Sequence, residues 1–84
     1  MPEEKTTLYD INEITTENIR ITLKEVCKSL EERGYNPTNQ IVGYLLSGDP
    51  GYISSYKDAR GKIQSIERAK IIEALLSEFQ KNNE

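Results

Sequence analysis

The side chains that most often carry enzyme chemistry are scarce in this sequence. Its 84 residues include no histidine and a single cysteine, Cys27. Histidine is the usual acid–base group near neutral pH and the commonest metal ligand. Cys27 falls among the apolar positions of a predicted helix, with no activating base readable beside it, which indicates a buried and inert thiol. We therefore predict that the protein is not an enzyme and uses neither a metal nor a cofactor.

Two hydroxyl side chains near the amino terminus, Thr6 and Thr7, are candidates for another chemistry, the acceptance of a phosphate from a kinase. The first eighteen residues carry one lysine against five acidic residues. A phosphate adds about −1.5 to −2 charge together with strong hydrogen-bond acceptors. It would either raise the repulsion from other acids or dock on cations of the chain. Candidate docking cations are Arg60, Lys62 and Arg68.

A second charged stretch, residues 57–70, is basic, although the whole chain has a net charge of −3 at pH 7. This stretch suggests an alternative function, a small nucleic-acid-binding regulator whose affinity would fall steeply with salt. The helix that could enter a DNA groove, residues 37–47, carries no lysine or arginine, however. A protein that recognises a DNA sequence needs such side chains to contact the phosphates and the base edges. Nucleic acid is therefore not the expected partner. The cations of the basic stretch are Lys57, Arg60, Lys62, Arg68 and Lys70.

The spacing of apolar residues predicts an all-α fold, a small bundle of four to five helices of which two are long. The long helices are expected near Thr16–Arg33 and Ile66–Lys81. Residues 1–15 are expected to be a flexible acidic tail ahead of a helical domain over residues 16–82. No apolar run approaches the roughly 20 residues of a membrane span, so no membrane insertion is expected. The predicted core stripes are Ile19, Leu23, Val26, Cys27 and Leu30 in the first helix, and Ile72, Leu75, Leu76 and Phe79 in the last.

The middle of the chain combines turn residues with a strongly apolar helix. Asn36-Pro37 and Asp49-Pro50 each place a capping side chain before a proline, which is typical of a helix start. The helix between them is apolar nearly all round, which predicts burial against a second copy in a homodimer, with the first and last helices of the same chain as the alternative cover. Gly43 would allow another helix to approach closely. The predicted interface residues are Ile41, Val42, Tyr44, Leu45 and Leu46.

Four residues after this helix are candidates for contact with another protein. Tyr52 and Tyr56 are of a type that often dominates protein interfaces, although tyrosines that cover a small core are an equal alternative. Asp58 and Arg60 indicate first a helix cap with a local ion pair. Contact with an effector is the second interpretation of that pair.

The stretch GYNPTNQIVGYLLSGDPGYI, followed by YKDAR, resembles the signature of the IreB family of small regulatory phosphoproteins of Gram-positive bacteria. The resemblance covers about residues 6–82 and includes ERAKII at residues 67–72. It implies a cytoplasmic helical homodimer without enzymatic activity. It also implies phosphorylation by a transmembrane Ser/Thr kinase with extracellular PASTA domains, opposed by a PP2C-type phosphatase, and a role in cell-envelope homeostasis.

The resemblance implies that the phosphoacceptors are threonines of the amino-terminal tail, and Thr6 takes the better matched position. The sequence departs from the family pattern around it. Lys5 replaces an acidic residue and Leu8 a basic one, while Thr7 stands where the family has valine, so a kinase could choose either threonine. The family's second acceptor would fall near Glu3 and is absent. The downstream effector is not indicated.

Overall fold

A computed structural model describes residues 11–82, with side chains from residue 15 onward, and every regular element in this range is helical. The two long helices and the short elements between them confirm the all-α prediction. The α-helices are α1 (Ile11–Glu32), α2 (Pro37–Ser47), α3 (Ala59–Gln64) and α4 (Arg68–Asn82). Two 3₁₀ turns, Pro50–Tyr52 and Tyr56–Asp58, lie between α2 and α3.

Helix α1 begins at Ile11, five residues before the predicted start at Thr16. The apolar residues ahead of Thr16 show no sustained period, which is why the sequence pattern missed this turn. Once a helix exists, each further residue adds one hydrogen bond at little cost, so a helix extends until a breaker stops it. Residues 1–10 lie outside the described part of the chain, and the flexible tail remains a prediction.

The ends of α2 lie where the turn residues predicted them. The Oδ1 atom of Asn36 accepts a hydrogen bond from the backbone N–H of Asn39 at 3.1 Å, and Pro37 occupies the first turn. At the other end, Gly48 has a φ of 77° and donates its N–H to the carbonyl of Tyr44 at 2.7 Å. A left-handed residue at this position favours glycine because glycine has no Cβ to clash.

The hydrophobic core forms around α1, which contacts each of the other three helices. Its predicted stripe is confirmed, with Cys27 half-buried and the other four residues buried. Burial raises the pKa of the Cys27 thiol, and the nearby Glu31 raises that pKa further, which favours the unreactive protonated form. The rest of the core consists of Ile41, Tyr44, Ile53, Ala59, Ile63, Ile71 and Ala74.

Helix α4 turns a different face to the core from the predicted one. Ile71 and Ala74 are buried, and they lie roughly 120° around the helix from the centre of the predicted stripe. The prediction that this stripe packs in the core is therefore wrong. The apolar arc of α4 is wider than one contact, and spacing alone does not say which half is covered. The stripe is exposed by 43% at Ile72, 46% at Leu75, 56% at Leu76 and 63% at Phe79.

A short turn separates α3 from α4, so that α4 begins at Arg68 and not at the predicted Ile66. The hydroxyl of Ser65 donates to the carbonyl of Lys62 at 2.6 Å, and the N–H of Ile66 donates to the carbonyl of Ile63 at 3.2 Å. These bonds close the last turn of α3 and redirect the chain before α4 starts.

Candidate functional site

The segment between the two 3₁₀ turns is tied to both α2 and α3. The side chain of Ile53 is fully buried, and its carbonyl accepts a hydrogen bond from Nε of Arg60 at 2.8 Å. The backbone N–H of Ser54 donates to Oε1 of Gln40 at 2.9 Å. The Ser54 carbonyl accepts a hydrogen bond from the backbone N–H of Arg60 at 3.1 Å. Arg60 therefore holds this segment in place and does not form the expected ion pair with Asp58.

Two consecutive residues, Lys57 and Asp58, have left-handed backbones, with φ of 50° and 60°. This conformation is uncommon outside glycine and is tolerated best by short polar residues such as aspartate. Asp58 stands at the start of α3 as predicted, but its side chain makes no capping hydrogen bond. Its carboxylate lies against Gly61 instead, in the space that a Cβ at residue 61 would need. The prediction that Asp58 stands at the start of α3 is confirmed, whereas the prediction that its side chain caps the helix is wrong.

Tyr56 lies among charged side chains at the carboxyl end of α1. The guanidinium carbon of Arg33 is 5.0 Å from the centre of its ring, and Nζ of Lys57 is 5.6 Å away, both within cation–π range. Lys57 Nζ also donates to Oε1 of Glu32 at 2.8 Å, and the Tyr56 hydroxyl donates to the same oxygen at 3.5 Å. Tyr56 is thus engaged within its own chain, and its contact with another protein remains a prediction.

The ion pair between Lys57 and Glu32 can be tested by a pH titration of Glu32. The hydrogen bond from Lys57 holds the pKa of Glu32 below its ordinary value, and the same bond raises the pKa of Lys57. A carboxylate with a lowered folded pKa stabilises the fold above its unfolded pKa, and that contribution is lost as pH falls through the folded pKa. We expect Lys57→Met to raise the pKa of Glu32 in an NMR titration of its carboxyl carbon.

Lys57→Arg is the matched control, because it keeps a cation beside Glu32. We expect the pKa of Glu32 to stay low in this variant and to move toward its ordinary value at high salt, since both side chains are exposed and salt screens such pairs. An unchanged pKa in Lys57→Met would show that the two side chains are not paired in solution.

The five residues predicted for a dimer interface fall on two sides of α2. Ile41 and Tyr44 are buried in the core of the same protomer, and Leu45 is half-buried against that core. Val42 and Leu46 face away from it, and 82% of Leu46 is exposed. Part of the apolar surface that suggested a dimer is therefore covered within one chain. A dimer interface on α2 remains a prediction. Of the five residues predicted for it, only Val42 and Leu46 are positioned to contact a second copy directly.

Gly43 permits a close contact, but its neighbour is an aromatic ring of the same chain and not another helix. A Cβ built at residue 43 would lie 2.5 Å from Cδ1 of Tyr52, too close for real atoms. Tyr52 thus packs directly on the backbone of α2 while about half of its surface stays exposed. Of the four candidate partner contacts, Tyr52 and Asp58 are the exposed ones.

The cations of the basic stretch all contact acceptors of their own chain. Three of them pair with glutamates, and the two arginines donate to backbone carbonyls, so their charge is partly satisfied internally. This arrangement weakens the case for a nucleic-acid surface. The contacts are Lys57–Glu32 at 2.8 Å, Lys62–Glu25 at 3.8 Å, Lys70–Glu73 at 3.6 Å, Arg60 to the Ile53 carbonyl at 2.8 Å and Arg68 to the Leu45 carbonyl at 3.0 Å.

The surface concavities lie mainly along the groove between α1 and α4. Two adjoining cavities of about 320 Å³ each share Thr15, Ile19 and Lys70 in their walls. Across residues 11–82, no group of three or more acidic, cysteine or histidine side chains is arranged to hold a metal ion. Within the same range, each helix is too short or too polar to cross a membrane.

The family comparison covers almost the entire sequence. The model of the IreB regulatory phosphoprotein family matches residues 4–81, from ahead of Thr6 to within the last turn of α4. The match includes α1, α2, α3, the segment held by Arg60 and all of α4 except Asn82. Thr6 and Thr7 fall inside the matched range but outside the described residues, so their role as acceptors remains a prediction. The chain belongs to the IreB family of regulatory phosphoproteins.

Proposed function

We propose that the protein is a non-catalytic signalling regulator switched by phosphorylation of Thr6 or Thr7. The observation that carries this proposal is the family match, which makes the chain a regulatory phosphoprotein and spans both threonines. The proposed kinase is a transmembrane Ser/Thr kinase with PASTA domains, opposed by a PP2C-type phosphatase. We place the protein in the cytoplasm, where it would act on cell-envelope homeostasis through an effector of unknown identity.

The start of α1 gives physical support to a switch at these threonines. Ile11 is only four residues after Thr7, and the amino-terminal end of a helix carries a partial positive charge that favours a nearby phosphate. The acids Glu3, Glu4 and Asp10 act in the opposite sense, because each repels a phosphate. Phosphorylation adds a charge of about −1.5 to −2. It would therefore change the balance between attraction to the start of α1 and repulsion from these acidic residues.

We also propose that the protein acts as a homodimer. A chain of this length forms only a small core, and such domains often gain stability by association. Among the residues whose side chains are described, Val42 and Leu46 of α2 form one exposed apolar surface, and another runs along α4. Exposed apolar surfaces of this kind often mark sites of protein contact. Tyr52 and Asp58 are the exposed residues that we propose for contact with the effector.

The phosphorylation proposal predicts the sites at which a kinase acts. After incubation with ATP and a PASTA-type kinase, peptide mass spectrometry of the full chain should find phosphate on Thr6 or Thr7. The double variant Thr6→Ala/Thr7→Ala should stay unmodified. Thr15→Ala, which removes an exposed threonine of α1, should be phosphorylated like the natural chain. Phosphate at Thr38, or none at all, would contradict the proposal.

A further inference from the structure

The groove between α1 and α4 combines apolar walls with a polar rim. Ile19 and Ala74 line it and are buried, and Ile66 beside them is half-buried. Thr15 and Lys70 border both of its adjoining cavities, each of about 320 Å³. Pockets that bind ligands typically measure about 300–1,000 Å³ and place a few polar groups around apolar walls. The groove therefore has the size and composition of a site for one or two large apolar side chains.

The charged side chains of the rim do not call for a charged occupant. Lys70 pairs with Glu73 at 3.6 Å, and Glu67 lies exposed at the edge of one cavity. The occupant would gain most by covering the apolar walls, because burial of apolar surface is the dominant favourable term in association. A segment that fits brings apolar side chains next to polar ones that stay in water at the rim.

The groove begins close to the point where the chain enters α1. Positions 11, 15 and 19 follow one another along the same side of the helix, since residues four apart share a face. Thr15 lies four residues after Ile11, which is about 6 Å along the helix axis. The three residues from Leu8 to Ile11 span at most about 10 Å. A chain that turns back before Ile11 can therefore bring Leu8 and Tyr9 to the groove.

We infer that Leu8 and Tyr9 of the same chain occupy this groove. They are the apolar side chains among residues 3–10, and Thr7 and Asp10 on either side of them are polar, as the rim requires. A short connection gives a tethered segment an effective concentration of about millimolar, so a separate molecule at micromolar concentration would have to bind roughly 1,000-fold more tightly to compete. The contact does not depend on the proposed phosphorylation.

NMR spectroscopy of the full chain tests this contact. Nuclear Overhauser effects (NOEs) should join the Tyr9 ring protons or the Leu8 methyl groups to the methyl groups of Ile19 or Ile66. The double variant Leu8→Ser/Tyr9→Ser removes both apolar side chains and keeps the length and charge of the segment. It should lose these NOEs, and the methyl resonances of Ile19 and Ile66 should shift. Circular dichroism checks that the variant keeps its helices.

Two controls locate the effect. Leu75 and Leu23 line a third concavity between the same two helices. Leu23 is twelve residues after Ile11, about 18 Å along α1 and beyond the reach of Leu8, so the Leu75 resonances should stay unchanged in the double variant. The variant Glu4→Gln alters the segment outside the apolar pair and should leave the resonances of the groove unchanged.

Three results would overturn the inference. The first is a natural chain without NOEs from Leu8 or Tyr9 to the groove, and the second is a shift at Leu75 as large as that at Ile19. The third is an isotope-filtered NOE between labelled and unlabelled chains in an equimolar mixture, which would show that another copy fills the groove. The kinase experiment detects phosphate on Thr6 or Thr7 by mass and needs no docked segment, so either proposal can fail without the other.

Discussion

Replacement of Ile53 by alanine is expected to lower the free energy of unfolding by about 2–5 kcal/mol. Ile53 is fully buried although it lies in a connecting segment, and the 3₁₀ turn before it contacts both α2 and α3. Its carbonyl is held by Arg60, so the backbone is not free to collapse into the space left by the missing methyl groups. Since a small domain has only about 5–15 kcal/mol of stability, this one substitution should cause a major loss.

Urea unfolding followed by circular dichroism measures this effect. Ile53→Val is the graded control, because it removes one methylene group and should cost about 0.5–1.5 kcal/mol. Tyr52→Ala, one residue earlier and half exposed, is a positional control that should cost less than Ile53→Ala. A loss below that of the valine variant would show that this segment is not part of the core.

Gly43→Ala is expected to destabilise the protein by about 1 kcal/mol, although alanine is the better helix former. The added Cβ would fall 2.5 Å from the Tyr52 ring, which must leave its position on α2. An overpacked site typically costs about 1–3 kcal/mol, and the helix propensity of alanine returns only about 0.5–1 kcal/mol. The unfavourable contact therefore outweighs the gain in propensity.

The sign of this effect should reverse once the ring is absent. In a Tyr52→Ala background, Gly43→Ala no longer meets an obstacle and should stabilise the chain by about 0.5–1 kcal/mol. Thermal or urea unfolding of the four proteins of this double-mutant cycle gives the coupling directly. If Gly43→Ala stabilised the natural chain as well, the close contact between the ring and α2 would be absent in solution.

The sequence predicted those parts of the fold that depend on neighbouring residues. Asn36-Pro37 and Gly48 set the limits of α2 through hydrogen bonds that span at most four residues. The stripe of α1 was equally readable, since one face of a long helix must be buried in a domain this small. Such features need no knowledge of where the rest of the chain lies.

The features that the sequence misplaced depend on contacts between distant residues. Helix α4 has an apolar arc wide enough for two contacts, and only the position of α1 decides that Ile71 and Ala74 take the core. Arg60 was expected to pair with Asp58, but the neighbouring left-handed backbone turns the Asp58 carboxylate toward Gly61. The guanidinium of Arg60 then reaches a carbonyl seven residues back in the chain.

The start of α1 at Ile11 limits how far a phosphate on the tail can act within one protomer. Thr6 precedes Ile11 by five residues, which span at most about 17 Å, whereas α1 is about 33 Å long. Lys57 pairs with Glu32 at the far end of that helix, well beyond this reach and beyond the Debye length of about 8 Å. A phosphate on Thr6 would therefore act electrostatically only at the end of the molecule where α1 begins and Lys70 borders the groove between α1 and α4. Tyr56 and Lys57, at the other end of α1, would lie outside its range.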